Sequence, residues 1–414
     1  MRRLPSGRRC AGASVEFHPF LTGPCAPTGN TLNLLDALQA KMAEATRLTQ
    51  AGRLDEATAA IQRALGQGAG AWSEPGPAHA ASDPTARRWR EAIAARWQEA
   101  PLHARTIDVE AREVPTGEPG ARSGPGRFER HNHVEPAGRR AYRLYVPASL
   151  AGQAPAGLVV MLHGCTQTPE DFAAGTRMNA FAEQQRLVVV YPAQAAKANP
   201  NRCWNWFKPE DQARDDGEPA IIAGITRQVA TRFGVPPERT FVAGLSAGGA
   251  MAQILGRAYP DLFAAVGVHS GLAAGSAKDV ASAFGAMKHG AAGSVSRRTV
   301  SQGRAPRVIV FHGDADETVA SRNARQVVEQ SLAALAATPA GAGLVRQRDE
   351  GTTDSGRSWA REAWRDAAGI SRLEHWTLRG AKHAWAGGDA QGSYTDPRGV
   401  DASAEMVRFF LAGA

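Results

Sequence analysis

The sequence predicts an α/β fold in which helices cover both faces of a mostly parallel sheet. From about residue 127 onwards, short apolar runs typical of buried strands follow one another, and segments with helical periodicity separate most of them. The runs are "YRLYVP", "GLVVMLHG", "RLVVVYP", "RTFVAGLS", "FAAVGVHSG", "RVIVFHGDAD" and "LEHWTLRG". A chain of 414 residues with 43% hydrophobic residues can form one large domain around such a core, together with a smaller appendage.

Composition divides the chain into four parts. Residues 1–30 combine Pro, Gly and Arg without periodicity, which predicts a disordered tail. Residues 31–66 carry apolar residues at helical spacing on both sides of Gly52, which predicts a helical hairpin. Residues 67–126 are rich in Gly, Pro and Ala around one helical stretch and are interpreted as a linker. Residues 127–414 then form the predicted α/β domain.

The predicted hairpin resembles a single tetratricopeptide unit, but the sequence holds no second copy with which it could stack. Docking on the α/β domain or self-association is therefore favoured over recruitment of a partner. A protein that binds a partner or a granule through this hairpin is the competing hypothesis from outside the enzymes.

The formal net charge of +8 raises the question of nucleic acid. The arginines are scattered, and no basic stripe interleaved with aromatic residues occurs, so we expect no nucleic-acid partner. No apolar run is long enough to span a bilayer. The N-terminus has arginines but no apolar stretch after them, so no signal peptide is visible and the compartment stays open.

The stretch "TFVAGLSAGGAMAQ" places Ser246 among small residues. Gly244 and Gly248 complete the pattern Gly-x-Ser-x-Gly, which is typical of a nucleophile elbow between a strand and a helix. An apolar strand pattern precedes the serine and a helical pattern follows it, so we predict that Ser246 is a nucleophile. A structural glycine-rich turn is the alternative.

A serine hydroxyl needs a base to accept its proton. His383, in "GAKHAWAGG", lies in the loop after the last predicted strand, and this places it at the carboxyl edge of the sheet. His163, His269 and His312 end strands, and His375 lies within one, so these four are interpreted as structural. His383 is therefore the predicted base.

The third member of such a triad follows a strand between the serine and the histidine. "FHGDADETV" offers Asp314 and Asp316. The pattern His-Gly-x-x-Asp-x-x-Val, which is common in serine hydrolases, fits His312, Asp316 and Val319, so Asp316 is favoured over Asp314. It would orient the base and stabilise its charged form.

Acyl transfer also needs donors for the developing oxyanion. One predicted donor is the backbone N–H of Ala247, the residue after the nucleophile. The other is assigned to the N–H of Cys165, in the loop "HGCTQT" after an early strand, with Thr166 as its neighbour.

Taken together, these segments resemble the poly(3-hydroxybutyrate) depolymerase family of esterases, which is related to feruloyl and acetyl-xylan esterases. The resemblance covers about residues 127–414. It rests on "HGCTQTPEDFAAGTRMNAFAEQQRLVVVYP", "NRCWNWF", "GLSAGGAMA", "FHGDADETV", "KHAWAGG" and "GSYTDPRGVDASAEMVRFFL". It implies an α/β-hydrolase fold, a triad of Ser246, Asp316 and His383, and hydrolysis of carboxylic esters without a metal or cofactor.

The aromatic residues near these loops allow two interpretations. Trp204 and Trp206 could belong to the core, but the polar, proline-bearing loop before Trp204 favours a substrate-facing wall. Trp385, two residues after the predicted base, is a second candidate for that wall. The family resemblance together with the positions of the two loops also suggests a disulfide between Cys165 and Cys203.

The substrate class stays open at this stage. The lack of a visible signal peptide, and a sequence that ends soon after the last predicted helix, favour a soluble oligomer or small ester at least as much as solid polymer. A feruloyl or acetyl-xylan-type esterase, a thioesterase and a serine peptidase are alternatives within the enzymes. The segment 271–305, rich in Gly, Ser and Ala, is interpreted either as a lid or as a plain surface loop.

Overall fold

A computed structural model of the chain describes residues 126–291 and 304–413. The predicted tail, the predicted hairpin and nearly all of the predicted linker lie outside the described residues. The strands are β1 Arg127–Glu135, β2 Gly138–Val146, β3 Gly157–Leu162, β4 Leu187–Pro192, β5 Thr240–Leu245, β6 Ala265–His269, β7 Arg307–Gly313, β8 Val345–Thr352, β9 Ser358–Arg365, β10 Ser371–Leu378, β11 Trp385–Ala386 and β12 Thr395–Asp396. The helices are α1 Pro169–Thr176, α2 Met178–Gln185, α3 Gly217–Phe233, α4 Ala247–Ala258, α5 Val280–His289, α6 Arg322–Ala336 and α7 Ala402–Leu411.

Ten of these strands form one sheet in the order β1-β2-β4-β3-β5-β6-β7-β10-β9-β8. The six central strands, β4 to β10 in that order, run parallel to one another. Antiparallel pairs extend the sheet at both edges, with β1 and β2 on one side and β9 and β8 on the other. The prediction of a mostly parallel sheet is therefore confirmed.

The sheet has a hydrophobic core on each face. Every residue of β3 and β4 is buried, as expected for strands covered on both sides. Within β3, Leu158, Val160 and Leu162 belong to one core, whereas Val159 and Met161 belong to the other. Side chains of α3, α4, α5 and α6 fill the first core, and side chains of α1, α2 and α7 fill the second. Parallel strands sandwiched in this way point all their carboxyl ends at one edge.

Two helical segments have features that apolar periodicity does not indicate. The run "PEDFAAGTRMNAFAEQQ" forms two helices, because Arg177 between them adopts a left-handed backbone conformation with φ 55°. The predicted lid or loop at 271–305 contains the capped helix α5, whose Ala283 and Ala286 are buried. Residues 292–303 of that segment lie outside the described residues. Within 126–291 and 304–413, no helix is both long and apolar enough to cross a membrane.

Candidate active site

Ser246 lies at the junction between the last residue of β5 and the first residue of α4. Its backbone has φ 57° and ψ −118°, a conformation that non-glycine residues rarely adopt and that is typical of a strained functional turn. The flanking glycines are explained by close backbone approach: a Cβ on Gly248 would overlap the carbonyl oxygen of Leu162, and one on Gly244 would overlap the backbone of Gly248. The small residues of the pattern thus let the turn pack against β3.

The surroundings of Ser246 place it at the carboxyl edge of the sheet. Its N–H donates to the carbonyl of His269 at the end of β6, with an N···O distance of 2.9 Å. On the other side, a Cβ on Gly164 would lie 3.7 Å from the Cβ of Ser246, so the loop after β3 adjoins the serine. Ser246 is buried apart from 9% of its surface.

Asp316 and His383 form a hydrogen-bonded pair. The Nδ1 of His383 lies 2.7 Å from the Oδ2 of Asp316, and the second carboxylate oxygen accepts the N–H groups of Thr318 and Val319, both at 2.9 Å. The Asp316 side chain is fully buried, whereas 12% of the His383 side chain is exposed. Burial alone would raise the pKa of the Asp316 carboxyl, but hydrogen bonds from His312 and His383 and the charge of His383 hold that pKa well below its usual range.

This pairing sets the tautomer of His383. An ionised carboxylate at Nδ1 requires a proton there, so Nε2 is the nitrogen with a free lone pair. Asp314 has a different environment: its carboxylate accepts the N–H of Gly380 at 2.6 Å and the guanidinium of Arg379 at 3.3 Å. Asp314 therefore braces the turn after β10, and Asp316 is the carboxylate that contacts the histidine.

The other strand-end histidines are buried and engaged. The Nε2 of His269 accepts the N–H of Ala386 at 3.0 Å, and burial, aided by the charges of His312 and His383, lowers the pKa of His269 to about 3. The Nε2 of His163 accepts the N–H of Gln194 at 3.1 Å, and burial lowers the pKa of His163 to about 4. Both imidazoles are thus neutral parts of the loop scaffold.

The loop after β3 leaves one amide available. The Gly164 N–H donates to the side-chain oxygen of Gln167 at 2.9 Å, and the Thr166 N–H donates to the carbonyl of Asn201 at 2.7 Å. Between them, the Cys165 N–H donates to no acceptor in the part of the chain that the structure describes. A free amide flanked by two fixed ones is the arrangement expected of an oxyanion donor.

The same loop is tied to the segment after β4 in two ways. Cys165 and Cys203 form a disulfide. The indole N–H of Trp204 donates to the carbonyl of His163 at 3.1 Å. These two ties fix the loop after β3 on the side that faces away from β5.

The burial of the tryptophans corrects one sequence interpretation. Trp204 is 0% exposed and Trp385 is 1% exposed, and each indole N–H is hydrogen-bonded inside the protein. Trp206 is also buried. Trp385 stacks on His269, with 5.1 Å between ring centroids. These side chains therefore lie in the core rather than at a substrate-facing wall, because the indole N–H groups of Trp204 and Trp385 find their acceptors inside the protein.

Tyr394 is a candidate functional residue that the sequence analysis missed. It is 46% exposed, its φ is 54°, and its hydroxyl lies 3.2 Å from the Oγ1 of Thr166. The preceding residue is clamped: Ser393 donates its N–H and its hydroxyl to Asp171, at 2.8 and 2.6 Å, and Gln167 bonds both partners. The polar, Gly-bearing run "GSYTDPRG" is the only local signal for this residue, and it has no periodicity.

The described residues contain no group of three or more His, Cys, Asp or Glu side chains that could hold a metal ion.

Comparison with known proteins finds esterases and depolymerases that are similar to this chain. Residues 140–350, just over half of the 414-residue chain, match the family model described as Esterase PHB depolymerase. Poly(3-hydroxyalkanoate) depolymerase C of Paucimonas lemoignei is 32% identical over 247 residues, which cover 58% of this chain and 57% of that protein. Feruloyl esterase B of Neurospora crassa is 28% identical over 200 residues, which cover 45% of this chain and 67% of that protein. The chain thus spans little more than half the length of the depolymerase.

A solved structure shows the fold. The acetyl xylan esterase from Aspergillus awamori superposes with a TM-score of 0.54 at 20% identity, covering 68% of this chain and 98% of that one. The predicted α/β-hydrolase fold is confirmed.

Proposed function

Because the chain belongs to the esterase PHB depolymerase family, we propose that it is a serine esterase that hydrolyses carboxylic esters through a covalent acyl-enzyme. The observation that carries this proposal is the His383–Asp316 pair at 2.7 Å, at the same sheet edge as the strained turn of Ser246. Together they supply the nucleophile, the base and the orienting carboxylate that ester hydrolysis needs.

In the first half of the reaction, the Oγ of Ser246 attacks the carbonyl carbon of the ester while the Nε2 of His383 takes the hydroxyl proton. The low pKa of Asp316 keeps it ionised, so it stabilises the imidazolium that forms. His383 then gives the proton to the alkoxide oxygen of the leaving alcohol. The bond between carbonyl carbon and alcohol oxygen breaks, and the acyl group stays on Ser246.

The negative charge of each tetrahedral intermediate falls on the former carbonyl oxygen. The N–H of Cys165 and the N–H of Ala247 are the proposed donors to it, and neither bonds an acceptor among the described residues. In the second half, water gives a proton to Nε2 of His383 and attacks the acyl carbon. The bond between that carbon and the Oγ of Ser246 then breaks, His383 returns the proton to Oγ, and the carboxylic acid leaves.

The proposed substrates are esters of hydroxyalkanoates, as oligomers or polyester, or related acyl esters. The similarity to a depolymerase supports the first class. The similarity to a feruloyl esterase and an acetyl xylan esterase supports aromatic or acetyl esters as the alternative. The same constellation can serve thioesters and amides, so substrate panels have to include both.

A fluorophosphonate probe with intact-protein mass spectrometry tests the nucleophile, alongside turnover of p-nitrophenyl butyrate. The wild type should take one adduct, and Ser246→Ala should lose both adduct and turnover. Ser270 is the matched control, since it also follows a central strand, has φ 48° and donates its N–H to the next strand at 2.9 Å. Ser270→Ala should keep the adduct. A folded wild type without adduct or turnover, or turnover confined to peptide anilides, would contradict the proposal.

A further inference from the structure

A cavity of about 210 Å³ lies beside the candidate active site. It opens at the carboxyl end of β4, between the edge strands β1 and β2 and the start of α1. The charged and amide side chains of its lining are Arg130, Arg143, Arg202, Glu170, Gln167 and Gln194, and Tyr142, His163 and Thr168 line it as well. Only β3 separates β4 from β5, the strand that ends next to Ser246, so the β4 end of the cavity lies two strand positions from that strand.

The charges in this cavity are unbalanced. Arg130 and Arg143 are direct cross-strand partners in the antiparallel pair β1 and β2, an arrangement in which like charges destabilise a sheet. Arg143 is neutralised by Glu170, whose Oε1 lies 2.5 Å from its Nε. Within the described residues, neither Arg130 nor Arg202 forms an ion pair. Counting the described residues alone, the lining carries three arginines and one glutamate, and two of its guanidinium groups have no anionic partner there.

Arg202 reaches the cavity from the opposite wall, where its backbone is held in place. Its φ of 51° is unfavourable for a residue with a side chain. The residues on both sides hold it there: the Asn201 carbonyl accepts the N–H of Thr166, and Cys203 forms the disulfide with Cys165. A charged residue kept in a strained conformation next to a site often has a function there.

The amide and imidazole groups of the lining do not compete for an anion. The Gln194 amide bonds the Cys203 carbonyl and the Glu218 carboxylate, and the Gln167 amide bonds Asp171 and Ser393. The His163 ring is neutral, because burial lowers its pKa to about 4. The guanidinium groups of Arg130 and Arg202 are thus the charged donors of the lining without a partner among the described residues, and their planar fork matches the two oxygens of a carboxylate.

We propose that this cavity binds a free carboxylate of the substrate, so that the enzyme prefers esters that carry a second, ionised acid group. The linear oligomers of a hydroxyacid are such esters, since each ends in a carboxylate whereas its internal acid groups are esterified. The inference rests on the proposed esterase function and names the substrate class of the same site.

The test compares two substrates that differ only in charge: the linear trimer of 3-hydroxybutyrate and its terminal primary amide. The measured quantity is the ratio of kcat/KM for the trimer to kcat/KM for the amide. The wild type should prefer the anionic trimer, by roughly five- to ten-fold for guanidinium groups that are partly in water. The double variant Arg130→Gln/Arg202→Gln should lose most of this preference, and added salt should weaken it in the wild type.

Arg325→Gln is the matched control, because Arg325 is exposed on α6, away from the lining of the cavity. It should keep the wild-type ratio. A ratio near unity in the wild type, or an unchanged ratio in the double variant, would overturn the proposal. Because each ratio is internal to one protein sample, partial unfolding of a variant cancels. Turnover of the neutral amide by the wild type tests the esterase function separately, so the two proposals fail in distinguishable ways.

Discussion

The two sides of the proposed site are built by different means. On the base side, the buried Asp316 carboxylate accepts the N–H groups of Thr318 and Val319 and in turn holds His383. On the oxyanion side, the loop that carries Cys165 is held by a disulfide and by a segment from more than two hundred residues further along the chain. In the proposed mechanism, the base side sets the protonation state of His383, and the oxyanion side sets the position of the Cys165 N–H. Changes on the two sides should therefore have different signatures.

The largest expected effect is on the base side. Asp316→Asn should lower kcat by about 10⁴-fold, because an amide can neither fix the His383 tautomer nor stabilise the imidazolium. Asp314→Asn removes an equal charge two residues away and should change kcat by no more than a few-fold, since Asp314 only braces the turn after β10. Steady-state kinetics with p-nitrophenyl butyrate compares them. Equal losses in both variants would mean that the base side depends on loop packing rather than on the carboxylate.

The oxyanion side comes next. Replacing both cysteines, as in Cys165→Ala/Cys203→Ala, removes a link between residues 38 apart in sequence, which should lower the free energy of unfolding by about 3–4 kcal/mol. The kcat should fall by about ten-fold or more, because the Cys165 N–H is no longer held where the oxyanion forms. Urea unfolding and kinetics measure the two effects. Adding a reductant to the double variant should change nothing further; full activity in the double variant would show that the disulfide does not position the donor.

Each side also contains a buried neutral histidine: His269 lies on the base side and His163 lies on the oxyanion side. Their pKa values of about 3 and about 4 lie below the ordinary value of 6.5, so the unfolded chain binds more protons between about pH 6.5 and 4. The contribution of each neutral histidine to the free energy of unfolding is therefore fully present above pH 6.5. It is lost as the pH falls through that window, by roughly 2 kcal/mol per histidine between pH 7 and pH 5.

Urea unfolding at the two pH values measures this loss. In His163→Gln, the difference in unfolding free energy between pH 7 and pH 5 should shrink by roughly 2 kcal/mol, whatever the variant costs at pH 7. The exposed His289 on α5 provides the control, and His289→Gln should leave the difference as it is in the wild type. A His163→Gln variant with the full wild-type difference would refute the assignment of a neutral His163.

The two sides also differ in how much the sequence predicts. The turn of Ser246 can be recognised from its neighbours in sequence, because its close packing requires glycine. The two candidate acids, Asp314 and Asp316, can be recognised because the His-Gly-x-x-Asp pattern lies within one loop. The central strands are equally local, because burial on both faces makes them continuously apolar. The edge strands β1, β8 and β9 were not predicted: they are partly or fully exposed, and β8, "VRQRDEGT", is almost entirely polar.

Long-range packing explains the rest of the differences. The inward orientation of Trp204 depends on a hydrogen bond to His163, forty-one residues earlier. Arg130 and Arg143 lie opposite each other because of the register between β1 and β2, and the sequence analysis did not predict β1. Tyr394 reaches the Cys165 loop only because Ser393 is anchored on α1. None of these contacts has a signature in the residues that immediately flank it.

The smallest effect concerns Tyr394, where strain and function can be separated. A left-handed backbone costs about 1–2 kcal/mol for a residue with a Cβ and nothing for glycine, so Tyr394→Gly should be about 1 kcal/mol more stable than Tyr394→Ala. Both variants lose the ring beside Thr166, and both should raise KM for p-nitrophenyl butyrate by a few-fold.

Tyr394→Phe keeps the ring and removes only the hydroxyl, so it separates apolar contact with the substrate from the hydrogen bond to Thr166. A KM close to that of the wild type in Tyr394→Phe, together with a raised KM in Tyr394→Gly, would assign the effect to the ring. Tyr394→Gly could also unfold at a higher urea concentration than Tyr394→Ala and still show wild-type kcat and KM. In that case the left-handed backbone of Tyr394 would have no role in catalysis. The position of the oxyanion loop would then rest on the disulfide and the Ser393 anchor alone.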